Sequence, residues 1–157
     1  ETFGFIILKK TQISQISTEN YELIYLILVK NNCMNEFYLK DETYKIIGLC
    51  MEVHKYLGKG HNEKVYGDAL EIEFKLNNIP YMREHQYNIE YKGIQLSSYY
   101  YSDFTVYDEI ILELKAIQEL TSSETKQVLN YLAASKNKIG ILANFGEDSL
   151  KYKRLIL

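Results

Sequence analysis

Long apolar runs, a basic excess, paired cysteines and ligand-spaced histidines are all missing from this chain of 157 residues. The longest apolar stretch, Leu23 to Val29 with Tyr25 inside it, falls far below the ~20 residues that a membrane-crossing helix needs. Lys9 and Lys10 lead into polar Thr11-Gln12-Ile13-Ser14-Gln15, which is not the apolar core of a secretory signal. The only cysteines are Cys33 and Cys50, with no CxxC pattern. That argues against a disulfide framework or a zinc knuckle and points to a reduced, cytoplasmic protein with buried or incidental thiols. His54 and His85 lack partners at ligand spacing, and His61 reads as an exposed loop residue, so no zinc site is expected. Net charge is −3 and the pI about 5.7, so the global basic footprint of many nucleic-acid binders is absent. Clustered acids awaiting a cation would produce the same balance.

What is present is ordinary for one globular domain: 46% hydrophobic and 25% charged residues, in a chain long enough to bury a core. Residues 1–33 lack cap and turn signals and carry two short apolar stretches. They read as an N-terminal extension, with Met34 as the natural start; an additional strand or helix pair is the alternative. Residues 34–157 read as a single domain. Asp41 can cap a first helix, with Tyr44, Ile47, Cys50, Met51 and His54 at helical spacing and Gly58 beyond its end. A second helix spans about 62–77, with Val65, Ala69, Ile72 and Leu76 inward. Strands follow near 81–91, 96–107 and 109–116, then a helix capped by Thr121 or Ser122 and running to about 135, then strands 139–144 and 152–157. The order predicts an α/β fold with a mixed sheet.

The segment from Tyr101 to Ala116 carries the chemistry. Both halves alternate as buried strands do, which places Ile110, Leu112, Leu114 and Ala116 on one face and Ile111, Glu113 and Lys115 on the other. With Tyr107-Asp108-Glu109 as the turn, Asp103 stands opposite Glu113, and opposed residues project from the same face. Two carboxylates and an ammonium then converge. Burying such groups is costly unless they pair or hold a metal, so a cation site is the leading reading. In the alternative, Lys115 neutralises Glu113 on a wet sheet face and Asp103 caps the hairpin. Gln127 and Tyr131 lie one turn apart on one face of the third helix. By themselves they read as a satisfied amide and a packing ring. Glu63, in the first turn of its helix, is accounted for by the helix dipole alone.

Gly60-x-x-Glu63-x-x-Tyr66 resembles the motif that names the GxxExxY proteins, a small prokaryotic family. The likeness continues through Glu52-Val53-His54, Leu57-Gly58-Lys59-Gly60, Tyr101-x-Asp103-Phe104, Glu113-Leu114-Lys115-Ala116, Gln127-x-x-Asn130-Tyr131-Leu132, Asn144-Phe145-Gly146 and Lys153-Arg154. It covers about residues 35–157. That family is similar to a branch of the PD-(D/E)XK nuclease superfamily, which implies a restriction-endonuclease-like αβββαβ core, its mixed central sheet flanked by helices. Asp103 then stands for the first acid, Glu113-Leu114-Lys115 for the E-x-K element and Glu63 for an additional acid. Gln127-x-x-x-Tyr131 resembles the helix motif of RecB-type exonucleases. Glu124 stands where such a protein would have histidine, and Ser102 where a proline often precedes the first acid.

The resemblance implies a divalent-metal-dependent nuclease acting on DNA or RNA. Asp103, Glu113 and the Leu114 carbonyl offer hard oxygen ligands to Mg²⁺ or Mn²⁺, with Glu63 holding the same ion, or a second one, through water. Lys115 would orient or deprotonate the attacking water, and Gln127 and Tyr131 would position a phosphate or water. The nucleic-acid-binding residues are not identified. Tyr99-Tyr100-Tyr101 as a stacking surface and Lys136, Lys138, Lys151, Lys153 and Arg154 as a phosphate rim are candidates, each set against ordinary packing or a solvated edge. A catalytically silent nuclease-fold module that binds nucleic acid or protein is the alternative. A two-carboxylate glycoside hydrolase fits less well, because a lysine beside one acid opposes the raised pKa of a general acid. A homo-oligomer or a protein partner is left open.

Overall fold

The computed structural model describes residues 38–157. The expected extension at 1–33, Cys33 and a start at Met34 lie outside the described residues. The elements run α1 (Lys40–Leu57), α2 (Glu63–Leu76), β1 (Tyr81–Tyr91), β2 (Ile94–Val106), β3 (Ile110–Lys115), α3 (Ser122–Ser135), β4 (Ile139–Asn144) and β5 (Lys151–Ile156). The five strands form one mixed sheet in sequence order, antiparallel except for the parallel pair β3–β4. That parallel pair needs a crossover, which α3 supplies. No helix among the described residues is long and apolar enough to cross a membrane.

Alternation along β3 sorts the core into two layers. Ile110, Leu112 and Leu114 join Ile46, Cys50, Leu70 and Phe74 beneath α1 and α2, while Ile111 joins Val128, Leu132 and Leu142 beneath α3. This is the restriction-endonuclease-like sandwich of helices on both faces of a mixed sheet.

Three expectations shift. The inward row of α2 is Tyr66, Leu70 and Phe74, with Ile72 57% and Leu76 71% exposed; the larger aromatic row wins the core and Val65 and Ala69 become half-buried flanks. Tyr44 and Met51 of α1 face outward, and Ile46, Cys50 and Val53 face inward. Asp41 does not cap α1: the helix starts from Leu39 in a left-handed conformation, which leaves Asp41 in the first turn, where its charge still suits the dipole.

The long β1–β2 hairpin reverses its faces midway. Tyr81 and Phe104 belong to the core under α1 and α2, but Tyr87 and Tyr100 pack on the α3 side. Residues six and four apart on regular strands share a face, so both strands make a half-turn between these points. Glu84 adopts φ 52 there, and cross-strand pairing skips from Arg83–Phe104 to His85–Ser102. Glu84 and Asp103 sit at the reversal.

Candidate active site

The β2–β3 turn is the three residues Tyr107, Asp108 and Glu109, with φ 55 and 61 at the first two. The ladder runs from Val106–Ile110 to Phe104–Leu112 and stops. One more step of the same count sets Asp103 opposite Glu113. Because β2 turns away at that point, Asp103 replaces the missing ladder acceptor with its own side chain: Oδ2 accepts from the Leu114 backbone N–H at 2.7 Å. The two acids therefore flank the last residues of β3.

Glu113 is 3% exposed. Its Oε1 accepts from Lys115 Nζ at 2.8 Å and from Gln127 Nε2 at 2.9 Å, and Gln127 Nε2 also donates to Tyr131 Oη at 2.6 Å. Glu113 Oε2 is buried and accepts no hydrogen bond of ordinary geometry among the described residues, although the Asp103 backbone N–H lies near enough to the carboxylate to favour its charge. The wet-face alternative thus accounts for the ion pair and for the capping by Asp103, but not for the burial. Glu63 arrives from the start of α2, its Oε1 accepting from the Ala116 N–H at 3.3 Å. With Asp103, Arg83 and Leu114 it lines a 250 Å³ cavity on the α2 side.

Burial, then the Asp103 charge, push Glu113 up to about 7 against the opposing pull of Lys115. Burial also raises Asp103, while the Leu114 N–H and Lys115 hold it back. Burial works against the Lys115 ammonium, yet Glu113, Glu63 and Asp103 together outweigh it and keep its pKa above the usual lysine value. The sign for stability follows from Glu113. A carboxyl whose folded pKa lies above its ordinary 4.5 binds its proton more tightly in the fold, so stability is highest below about 4.5 and falls as pH climbs through about 7. Thermal melts in a chelating buffer should show a lower melting temperature at pH 8 than at pH 5.5, with a flatter profile in Glu113→Gln. A profile that is level, or rises, in the parent protein would contradict this electrostatic account.

An acidic oxygen buried without a hydrogen bond of ordinary geometry is suited to a proton or to a cation, so the donor set fits Mg²⁺ or Mn²⁺: two carboxylates and a nearby backbone carbonyl are hard oxygen ligands. Among the described residues no three acidic, histidine or cysteine side chains already form a closed cage.

The surrounding loops explain the other quoted motifs. Tyr66, fully buried, donates from Oη to the Gly58 carbonyl at 2.8 Å, receives the His61 N–H at 3.3 Å and stacks on Phe145 with centroids 4.5 Å apart. It pins the Gly58-Lys59-Gly60 turn, and Gly60 at φ 104 provides the reversal just before Glu63. Tyr66→Phe should lower stability by ~1–2 kcal/mol in urea unfolding, since the carbonyl and amide lose their partner while the ring stays. No measurable change would mean that water replaces the hydroxyl.

Glu124, at the site of the expected histidine, closes a capping box, accepting from the Thr121 N–H at 2.8 Å; Thr121 is the cap of α3. Two features were not anticipated. Asn144 is fully buried and clamps the loop after β3: Oδ1 accepts from Ile117 N–H at 3.0 Å and Gly146 N–H at 3.2 Å, while Nδ2 donates to the Ile117 carbonyl at 2.9 Å and Glu147 Oε1 at 3.0 Å. Arg83 beside Asp103 is held by Glu71 and Asp68, at 2.6 Å each. The Asp68/Glu71 spacing on one helix face was the available signal for an arginine partner. The candidate phosphate rim is dispersed: Lys136 lies at the C-cap of α3, Lys138 just before β4, and Lys151, Lys153 and Arg154 on the edge strand β5. The three tyrosines divide between faces, with Tyr100 against Tyr131 and Tyr99 edge-on to Tyr101.

A sequence model described as the PD-(D/E)XK nuclease superfamily matches residues 40–155. No curated protein matches the chain. Among solved structures, the crystal structure of SSO0001 is similar at a TM-score of 0.49 and 18% identity, over 59% of this chain and 48% of that one. This chain thus spans about half the length of that protein.

Proposed function

The chain belongs to the PD-(D/E)XK nuclease superfamily, and from that premise we propose that it is a cytoplasmic, divalent-metal-dependent nuclease of the GxxExxY branch that hydrolyses phosphodiester bonds in DNA or RNA. The observation that carries this reading is Glu113: a buried carboxylate with one oxygen held by Lys115 and Gln127 and the other accepting no hydrogen bond of ordinary geometry among the described residues. A merely structural acid at this depth would have both oxygens satisfied.

Asp103, Glu113 and the Leu114 carbonyl would hold Mg²⁺ or Mn²⁺, with Glu63 acting through water. When bound, the ion supplies positive charge against the developing phosphorane charge and makes a bound water more acidic. Lys115 acts as a donor. With one N–H on Glu113 it has others to orient the attacking water or a non-bridging phosphate oxygen, and beside a bound dication, which lowers its pKa, it would serve as the base instead. Gln127 keeps Glu113 in one rotamer and carries Tyr131 Oη to the rim, where the hydroxyl can donate to the phosphate. Asp103, tied through Oδ2, retains its second oxygen for a ligand.

The test is cleavage of labelled single- and double-stranded DNA and RNA by the purified chain with Mn²⁺ or Mg²⁺, beside Lys115→Ala. Metal-dependent cutting by the parent, lost in the variant, is the expected result. Equal cutting by both would remove the residues assigned here from the chemistry. A second reading, a binding module that has kept the fold, is favoured by the absence of a closed acidic cage among the described residues. It predicts nucleic-acid binding with no cutting under any metal.

A further inference from the structure

Beside Glu113, on the α3 side of the sheet, lies a groove of which only the Gln127 and Tyr131 end belongs to the residues assigned to cleavage. One wall is α3 and the other is the half of the β1–β2 hairpin beyond its face reversal. It has two connected parts, of about 580 Å³ and 440 Å³, that share Tyr100 and Asn130. The smaller part includes Gln127 and Tyr131, and Gln127 bonds Glu113 Oε1 behind it. The larger runs along α3 to Lys136 and is walled by Ile89 and Glu90 of β1. Tyr100 is half-buried, its ring 5.3 Å from that of Tyr131. Asn130 is exposed, and neither Lys126 nor Lys136 has an ion-pair partner among the described residues.

We propose that this groove seats a single unpaired strand of nucleic acid leading to Glu113: Tyr100 and Ile89 receive the flat faces of bases, Asn130 a base edge or sugar, and Lys126 and Lys136 the phosphates. The proposal rests on the nuclease reading and narrows its substrate. Each part of the groove has the volume of a small-ligand cleft, a scale that suits the separate bases of an unpaired strand. An aromatic face next to isolated cations is what sequence-tolerant single-strand binding uses, stacking giving affinity and lysines tracking the backbone. A peptide would call for a richer apolar lining than Ile89, Tyr100 and two alanines provide. Glu90 is the one acid in the groove, and it stands at the hairpin end, away from Gln127.

The test uses the full chain carrying Lys115→Ala, so that strands are bound and not consumed. Anisotropy of labelled oligo-dT and oligo-U, and of a duplex of equal length, is followed with Mg²⁺ present. Lys126→Glu and Lys136→Glu are exposed changes that leave the core untouched. Each should weaken single-strand binding about ten-fold and lower the salt slope by about one. Tyr100→Ala should weaken it similarly, and Tyr100→Phe should restore it. Tyr99→Ala, on the opposite face of the hairpin, should have no effect. The proposal fails if the duplex binds as tightly as the single strand, if no oligonucleotide binds, or if the lysine variants bind like their parent. Metal-dependent cutting by the native chain that is indifferent to Lys126 and Lys136 would remove the groove and leave the nuclease reading standing. Groove-dependent binding by a chain that cuts nothing would do the reverse.

Discussion

Glu113→Gln is expected to reduce metal-dependent cleavage by about three powers of ten or more while leaving the fold in place. The amide keeps the size of the carboxylate and its carbonyl still accepts from Lys115 and Gln127, at the 2.8 and 2.9 Å positions of Oε1. What disappears is the negative charge beside Oε2, where a dication would bind. Loss of a ligand removes charge stabilisation and nucleophile activation together, and each factor of ten in rate corresponds to about 1.4 kcal/mol of barrier. Stability should move by less than about 2 kcal/mol, because the variant also loses the penalty that holds Glu113 near 7. Single-turnover cleavage and chemical unfolding, measured on the same preparations, check both halves. Retained cleavage would take Glu113 out of the reaction; a collapse in stability would make it a structural residue.

The second large effect lies outside the cluster of acids. Gly146→Ala should cost about 3 kcal/mol or more, enough to leave little soluble protein at 37 °C. A methyl group on Gly146 would stand 2.2 Å from the Ile117 carbonyl oxygen and 2.6 Å from both its carbonyl carbon and its nitrogen. These are backbone atoms, fixed by Asn144 from the other side, so no rotamer change relieves the contact. The same chemical change at Gly48, inside α1 with nothing within 4 Å, should be neutral or stabilising by up to about 1 kcal/mol. Urea unfolding of the two variants side by side separates the steric effect from a general cost of alanine. Equal stabilities would mean that the loop after β3 yields.

Much of this was legible by counting. The three-residue turn and the strict alternation of β3 were enough to bring Asp103 to the end of the ladder near Glu113, though not onto one face with it: Asp103 lines the α2-side cavity with Leu114, and Glu113 bonds Gln127 on the α3 side. Four-residue spacing placed Gln127 with Tyr131. The helix faces were harder. In α2 two apolar rows, Val65/Ala69/Ile72/Leu76 and Tyr66/Leu70/Phe74, both satisfy helical periodicity, and only the shape of the sheet surface selects the second. The detour of Asp103 to the Leu114 N–H could not be read, because it depends on a positive φ at Glu84, a residue with no special backbone preference. Asn144 escaped because its partner, Ile117, is 27 residues away in sequence.

The turn at Tyr107-Asp108-Glu109 has a consequence for how this protein can be broken. It lies at the opposite end of the β2–β3 ladder from the carboxylates, yet it sets the phase between them. One residue gained there, with the turn kept at three, would slip β3 by one against β2, bring Leu112 into the place opposite Asp103 and turn Glu113 toward the apolar layer under α2. The same slip would turn Ile110, Leu112 and Leu114 out of their layer, so the carboxylates lose step only together with the core. The spacing of the acids and the packing of β3 are thus set by one turn that belongs to neither, and a lesion in it would cost the site and the fold together.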